Sequence, residues 1–265
     1  MKNVLITGCY GGMGLATSKY LISEGYEVYG LDIAKKEEVE HLHFFEVDLT
    51  KESSIILAYN KIKDENIVFD AIIHQAGIYD LNSLIEMSEK DFMRIFDINV
   101  NSIFRVNKTF LPLLKEKGKI LITSSELGPL YPLPFTGLYG ITKTTIERYA
   151  YSLRMELQLL GYQVIVVRPG AVDTGLLNIS TVKLDKFEES TTHYSYNVKR
   201  FKDIVNKVET KKIPPVKIAK LVNKILKKKK AKYVYNINRN FGLRMLNFLP
   251  KRMQNWIIKL ILTKK

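Results

Sequence analysis

The chain has 265 residues, 46% hydrophobic and 26% charged, with a formal net charge of +14 and one cysteine, Cys9. These proportions suit a single large folded core and exclude a disordered chain, a collagen-like repeat or a disulfide scaffold. The charge is unevenly placed: residues 211–265 hold 17 Lys or Arg and no acid, so 41 minus 17 leaves 24 basic against 27 acidic residues, a net of −3, in residues 1–210.

In chain order, the short branched run 4–6 reads as a buried strand and 15–23 as a helix with apolar residues recurring at three and four. Strands are predicted at 27–31 and 43–47, a helix at 55–62, and a strand at 71–73. One helix is predicted over 92–114, ended or kinked by Pro112, then a strand at 120–123, a helix at 139–160 and a strand at 164–167. Residues 177–213 are poorly patterned; a helix at 216–226, a strand at 233–237 and a helical segment from Phe241 close the chain. Strand, helix and strand at this spacing need right-handed crossovers, so the expected fold is α/β, a doubly wound, mainly parallel seven-stranded sheet with helices on both faces. We expect residues 1–265 to form one domain of this Rossmann type. No apolar run reaches the roughly 18 residues of a spanning helix, the nearest being residues 256–262, broken by Lys259. Gly8 and Gly11 precede any long apolar run, so no secretory leader is read and a reducing cytoplasm is expected.

The first strand is followed by Gly8, Gly12 and Gly14 and then by a helix. Backbone without β-carbons lets a pyrophosphate approach the helix N-terminus, although a glycine turn of structural use alone shows the same pattern. Asp32 ends the second strand, where a carboxylate accepts hydrogen bonds from adenosine ribose hydroxyls and repels a 2′-phosphate; a bland surface acid is the competing reading. Tyr139 and Lys143 are four apart on one helix face. An ammonium beside a phenol stabilises phenolate, lowers its pKa and fits the phenol for general acid–base work. Ser124 and Ser125 end the preceding strand, where a hydroxyl can donate to a carbonyl oxygen as charge develops. No metal-ligating cluster is read.

Together these motifs resemble the short-chain dehydrogenase/reductase family over residues 1 to about 175. Residues 7–14 are similar to its T-G-x-x-x-G-x-G cofactor loop, with Met13 before the last glycine. Asp48 and Leu49 resemble its adenine-contacting pair, and residues 139–143 its Y-x-x-x-K motif. Pro169, Gly170, Val172 and Thr174 fall in a segment similar to P-G-x-x-x-T, which in the family lies along the nicotinamide. The resemblance implies that Tyr139 exchanges a proton with the substrate oxygen, that Lys143 holds the nicotinamide ribose and depresses the tyrosine, that Ser125 positions the carbonyl and that Asn99 supports a water chain. The family's N-N-A-G stretch reads His74-Gln75-Ala76-Gly77 here, with Ala76 and Gly77 retained as cofactor contacts. The interval from Ser125 to Tyr139 is one residue longer than the commonest, which keeps Ser124 in reserve.

Asp32 and the lack of a basic residue at Cys9 or Tyr10 favour NAD(H) over NADP(H), with Lys35 and Lys36 arguing the other way. Cys9 is read as a small loop residue without redox work and His74 as a packed strand residue. Residues 177–213 are expected to form a substrate flap, and Leu130, Tyr131, Leu133, Pro134 and Phe135 an apolar loop before Tyr139. Such walls suit a lipophilic secondary alcohol or ketone, though the flap aromatics Phe187, Tyr194 and Phe201 equally suit a core of the flap itself; residues 125–129 and 249–252 resemble the family's steroid and retinoid branches, which implies a hydroxysteroid-like substrate. Residues 240–265 form a basic helical tail in which Pro250 breaks an apolar stripe running from Met245 to Ile261. Packing on its own domain or a sister subunit is the plainer reading; docking on an anionic membrane is the other. No nucleic-acid partner is expected, and the resemblance implies a homodimer or homotetramer built through the helices bearing Asn99 and Tyr139. The leading function is an NAD(P)-dependent oxidoreductase. The rivals are a non-catalytic dinucleotide sensor or membrane-surface binding protein, and an enzyme like the 3-oxoacyl-carrier-protein reductases.

Overall fold

The computed structural model describes residues 2–209 and 211–263. Seven strands form one parallel sheet: β1 (Lys2–Thr7), β2 (Tyr26–Asp32), β3 (Leu42–Glu46), β4 (Phe69–His74), β5 (Leu114–Thr123), β6 (Gln163–Pro169) and β7 (Val234–Ile237), in the order β3-β2-β1-β4-β5-β6-β7. The chain winds outward from β1 to β3 and then restarts beside β1 with β4, so the strand order reverses between these two. The carboxyl ends of β1 and β4, where Thr7 pairs with His74, therefore flank the crevice in which doubly wound sheets place their ligands.

Both faces of the sheet are covered, which is why its strands are nearly continuous apolar runs. Side chains alternate across each strand, sending Leu5, Leu31, Ile72, Ile120 and Ile122 to one core and Val4, Ile6, Val28, Ile73 and Leu121 to the other. The first core is covered by α2 (Glu52–Asp64), α4 (Ser102–Phe110) and α5 (Gly137–Leu157), the second by α1 (Gly12–Ser23) and α8 (Val216–Leu226). Removing one such side chain, as in Leu5→Ala, is expected to cost about 2–5 kcal/mol.

The helix expected over 92–114 is not continuous. α3 (Glu89–Phe96) gives way to a wider π-helical turn at Asp97–Asn101, α4 follows, and Pro112 lies in a short 3-10 turn at Leu111–Leu113. The reason is tertiary: Asn99, inside the π turn, exchanges hydrogen bonds with the backbone of Ile78. Leu114 belongs to β5, whose pairing with β4 shifts register between Phe69 and Ala71.

The poorly patterned region holds two helices, α6 (Gly175–Ser190) and α7 (Ser195–Glu209). Their apolar residues Leu184, Phe187, Val198 and Phe201 form a third core with Leu81, Phe135 and Leu262. Part of the expected flap, including the side chains of residues 177–181, lies outside what the structure describes. The tail forms α9 (Phe241–Phe248) and α10 (Lys251–Leu262), divided at Leu249 and Pro250.

Candidate active site

The turn after β1 is compact because its glycines leave no room for a side chain. Gly8 has φ +70, and a β-carbon on it would lie 2.7 Å from the Ala76 α-carbon. On Gly12 it would meet the Thr174 β-carbon at 2.5 Å, and on Gly14 the Gly8 carbonyl oxygen at 1.8 Å. The starts of α1 and α6 are thereby drawn together. Gly11, the N-cap of α1, offers no side-chain acceptor to the first-turn amides, which suits an anion at this helix end.

A cleft of about 1190 Å³, open solvent included, runs from this turn across the carboxyl ends of β4, β5 and β6. It is lined by Met13, Ala76, Gly77, Ser125, Tyr139, Lys143, Pro169, Gly170, Val172 and Thr174, so ten of the residues singled out in the sequence share one hollow. Gly170 is constrained, since a β-carbon there would lie 1.9 Å from the Asn238 carbonyl oxygen.

Tyr139 and Lys143 come from the first turns of α5 and both face the cleft. The Tyr139 hydroxyl faces the Ser125 side chain, and its ring meets Tyr79 edge-on at 4.4 Å between centroids. The Lys143 Nζ lies 5.5 Å from the centre of that ring and donates to the Thr123 carbonyl at 3.1 Å. Burial, rather than Lys143, is the largest influence on the phenol. It pushes Tyr139 up to about 12, against the pull of the Ser125 hydroxyl and with the Glu126 carboxylate adding to the rise. Burial also pushes Lys143 down to about 8. Removal from water disfavours phenolate and ammonium alike, so both groups move toward neutrality.

Ser125, not Ser124, reaches the phenol. The Ser124 hydroxyl is buried and finds no hydrogen-bond partner among the described residues. Asn99 is buried outside the cleft lining, its Oδ1 accepting from the Ile78 N–H at 2.8 Å and its Nδ2 donating to the Ile78 carbonyl at 3.0 Å and to the Thr142 hydroxyl at 3.2 Å. It approaches Lys143 only across Gly77, where a β-carbon would lie 3.3 Å from Asn99 Oδ1 and 3.9 Å from Lys143 Nζ.

Three expected cofactor contacts lie farther out. Asp32 accepts from the Tyr10 and Ile33 backbone N–H groups, each at 2.8 Å, and so braces the glycine turn. Asp48 accepts from the Thr50 hydroxyl at 2.6 Å and pairs with Lys51 at 3.2 Å; the Thr50 hydrogen bond holds its carboxyl below the usual range. Leu49 is packed in the first core. Cys9 is buried, with burial pushing its thiol up to about 12, and its sulfur would lie 2.5 Å from a β-carbon on Gly30, as a small packing residue requires. His74 is buried against Asn107 at 2.8 Å and outside the cleft, as a packed strand residue.

Gln75 and Glu126 line the cleft without having been assigned to the site from the sequence. Gln75 is buried, lines the cleft, and neither its Nε2 nor its Oε1 finds a partner among the described residues. An unsatisfied buried amide costs about 1–3 kcal/mol, so its setting fits a polar ligand group. Glu126 is buried beside Tyr139, its carboxyl pushed up by burial.

Residues 2–183 match the profile of the short chain dehydrogenase family. Estradiol 17-beta-dehydrogenase 2 of Mus musculus is 29% identical over 212 residues, 74% of this chain but only 55% of that enzyme's length. The 3-ketodihydrosphingosine reductase of Bacteroides thetaiotaomicron is 26% identical over 85% of this chain and 84% of its own. A short chain dehydrogenase family protein from Francisella tularensis subsp. tularensis SCHU S4 superposes with a TM-score of 0.76 at 28% identity, covering 89% of this chain and 97% of its own. With a profile match across more than half of its length, this chain belongs to the short chain dehydrogenase family, a family of oxidoreductases.

Proposed function

We propose that the protein interconverts a lipophilic secondary alcohol and its ketone with a nicotinamide dinucleotide, and that Tyr139 is the general acid–base. The observation that carries this reading is Tyr139, half-buried with Ser125 beside its hydroxyl and Lys143 flanking its ring, in the cleft that the glycine turn closes. A bound nicotinamide would supply or accept the hydride. Gly8, Gly12, Met13, Gly14, Gln75, Ala76, Gly77 and the segment from Pro169 to Thr174 would hold it. The compact glycine turn and the unpartnered Gln75 amide both fit such a ligand.

Within the chain, Tyr139 in its neutral form presents a proton to an oxygen placed beside it, and Ser125 holds that oxygen by a second hydrogen bond. Lys143 fixes the ring and supplies positive charge when phenolate forms. Asn99 spans from Ile78 to Thr142, holding the π turn against α5 and so keeping Lys143 and Gly77 in place.

We read NAD(H) as the preferred dinucleotide. Asp32 supports it, and both lysines that argued otherwise are engaged: Lys36 donates to the Tyr10 carbonyl at 2.9 Å, and Lys35 pairs with Glu38. The lipophilic substrate is supported by Leu127, Leu133, Phe201, Ile204, Val205 and Leu243 around the cleft. The names of the steroid and sphingoid relatives agree with it. Exposed Phe104 on α4 and Tyr151 and Met155 on α5 support a homodimer or homotetramer built through these helices.

A panel of secondary alcohols, sterols and long-chain ketones, followed by NADH fluorescence with NADP as the control, tests the reading. Tyr139→Phe is expected to bind NADH as the parent does and to lose turnover by about 10²–10⁴. Unchanged turnover removes Tyr139 from the mechanism.

A further inference from the structure

α9 and α10 are built inside out for helices that serve a core. Among the described residues of α9 none is buried, and in α10 only Gln254 and Leu262 are. Inward, α10 packs Leu262 and Ile258 on the third core, and the remaining anchors are polar: Asn247 Oδ1 accepts from Tyr131 N at 2.7 Å, Asn197 donates to the Leu262 carbonyl at 2.7 Å, and within the tail Gln254 Nε2 donates to the Leu249 carbonyl at 2.7 Å. The large apolar side chains point outward, with Phe248 at 89%, Phe241 at 72% and Trp256 at 64% exposure, and Met253 and Leu260 beside Trp256 on one face of α10. Burying apolar surface is the main favourable term in folding, so the crest of large apolar side chains left exposed along both helices marks a contact surface.

The charge around the crest identifies its partner. Arg252 and Lys259, four residues before and three after Trp256, lie on the same exposed side of α10, and Arg244 is exposed on α9. The whole segment from 211 to 265 contains no acid. A second copy meeting this face by two-fold symmetry would set cations against cations. An anionic lipid surface satisfies both features, taking the aromatic side chains at the headgroup boundary and the cations among its phosphates. No helix among the described residues is long and apolar enough to cross a membrane, which leaves lying on the surface as the geometry.

We propose that α9 and α10 dock on an anionic lipid bilayer, with the Phe241, Phe248 and Trp256 crest in the headgroup region. Leu243, on α9, lines the substrate cleft, so the docked surface adjoins the cleft wall. The docking stands independently of the substrate assignment.

Trp256 is the sole tryptophan in the chain and reports directly from the crest. The full chain is titrated with vesicles of phosphatidylcholine alone or with about a third phosphatidylglycerol. With the anionic vesicles, Trp256 emission is expected to shift blue and to be quenched by brominated acyl chains. Partition should be at least about tenfold stronger than with neutral vesicles and should weaken as salt rises. Phe248→Ser should weaken it, and so should the combined Arg244→Glu, Arg252→Glu and Lys259→Glu, both variants keeping the far-ultraviolet circular dichroism and NADH binding of the parent. Unchanged Trp256 emission, or equal partition into both vesicle types, overturns the proposal. So does sedimentation equilibrium in which self-association covers Trp256, or an emission change produced by single-stranded RNA and not by vesicles.

Discussion

The Glu126 carboxylate accepts a hydrogen bond from the Asn240 backbone N–H at 2.6 Å, so a buried acid beside Tyr139 also holds the N-cap of α9. One side chain joins the cleft to the tail. Glu126→Gln keeps an acceptor for Asn240 and removes a negative charge that raises Tyr139. The variant should stay folded and shift the pH profile of alcohol oxidation toward lower pH. Glu126→Ala strands the Asn240 N–H and should lower stability by about 1–3 kcal/mol in chemical unfolding. Equal stability of the two variants would show that the Asn240 contact is idle.

Lys143 should govern an ionisation near 8 in the free enzyme, because burial holds its ammonium at about that value. The ammonium is the lower-pH form, so kcat/KM is expected to change as pH rises through about 8. Lys143→Arg carries a charge that does not titrate in this range, and the step near 8 should vanish from its profile. A step that persists in the variant belongs to another group.

Below Lys143, Glu147 and Arg168 are locked by two hydrogen bonds, at 2.8 and 2.7 Å, with both side chains largely buried. Arg168→Ala would leave the Glu147 charge uncompensated in the middle of α5, one turn after Lys143. Loss of one partner of such a pair typically costs about 3–5 kcal/mol, readable in urea unfolding. Arg168→Lys should recover only part of it, since an ammonium lacks the fork that meets both carboxylate oxygens.

His74 makes stability depend on pH. Burial lowers its pKa to about 4 from an ordinary 6.5, so between these values the unfolded chain binds the extra proton. Stability is therefore full above about 6.5 and falls as pH drops toward 4, by about 3 kcal/mol if the whole shift is realised. His74→Gln, which does not titrate, should flatten the loss of Tm between pH 7 and pH 4.5 (about the ends of that window). A slope equal to the parent's would assign the acid sensitivity elsewhere.

The alternation of strand and helix was legible in the sequence because the central strands are covered on both faces and helices such as α2, α4 and α8 carry one apolar stripe. The seven strands and their parallel winding follow from that pattern alone. The glycine spacing and the pairing of Tyr139 with Lys143 were legible for a local reason: a tight turn and one helical turn each bring residues together without help from the rest of the chain. Other features depend on partners distant in sequence. The π turn at Asn99 bonds the backbone of Ile78, and the helices of 175–209 bury Leu184, Phe187, Val198 and Phe201 against Leu81, Phe135 and Leu262, partners far away in the sequence.

Residue order therefore determined the sheet, the glycine turn and the placing of Tyr139 beside Lys143, since each depends on neighbours within a few positions or on a periodic pattern. Only the tertiary structure decided which way the ionisations move. Desolvation is set by everything packed around a group, and it drives Tyr139 up and Lys143 down where proximity alone predicted a depressed phenol. The same holds for the tail: its charges stand in the sequence, but which side of α10 faces outward was settled by the contacts that turn Gln254, Ile258 and Leu262 inward and leave Trp256 in water.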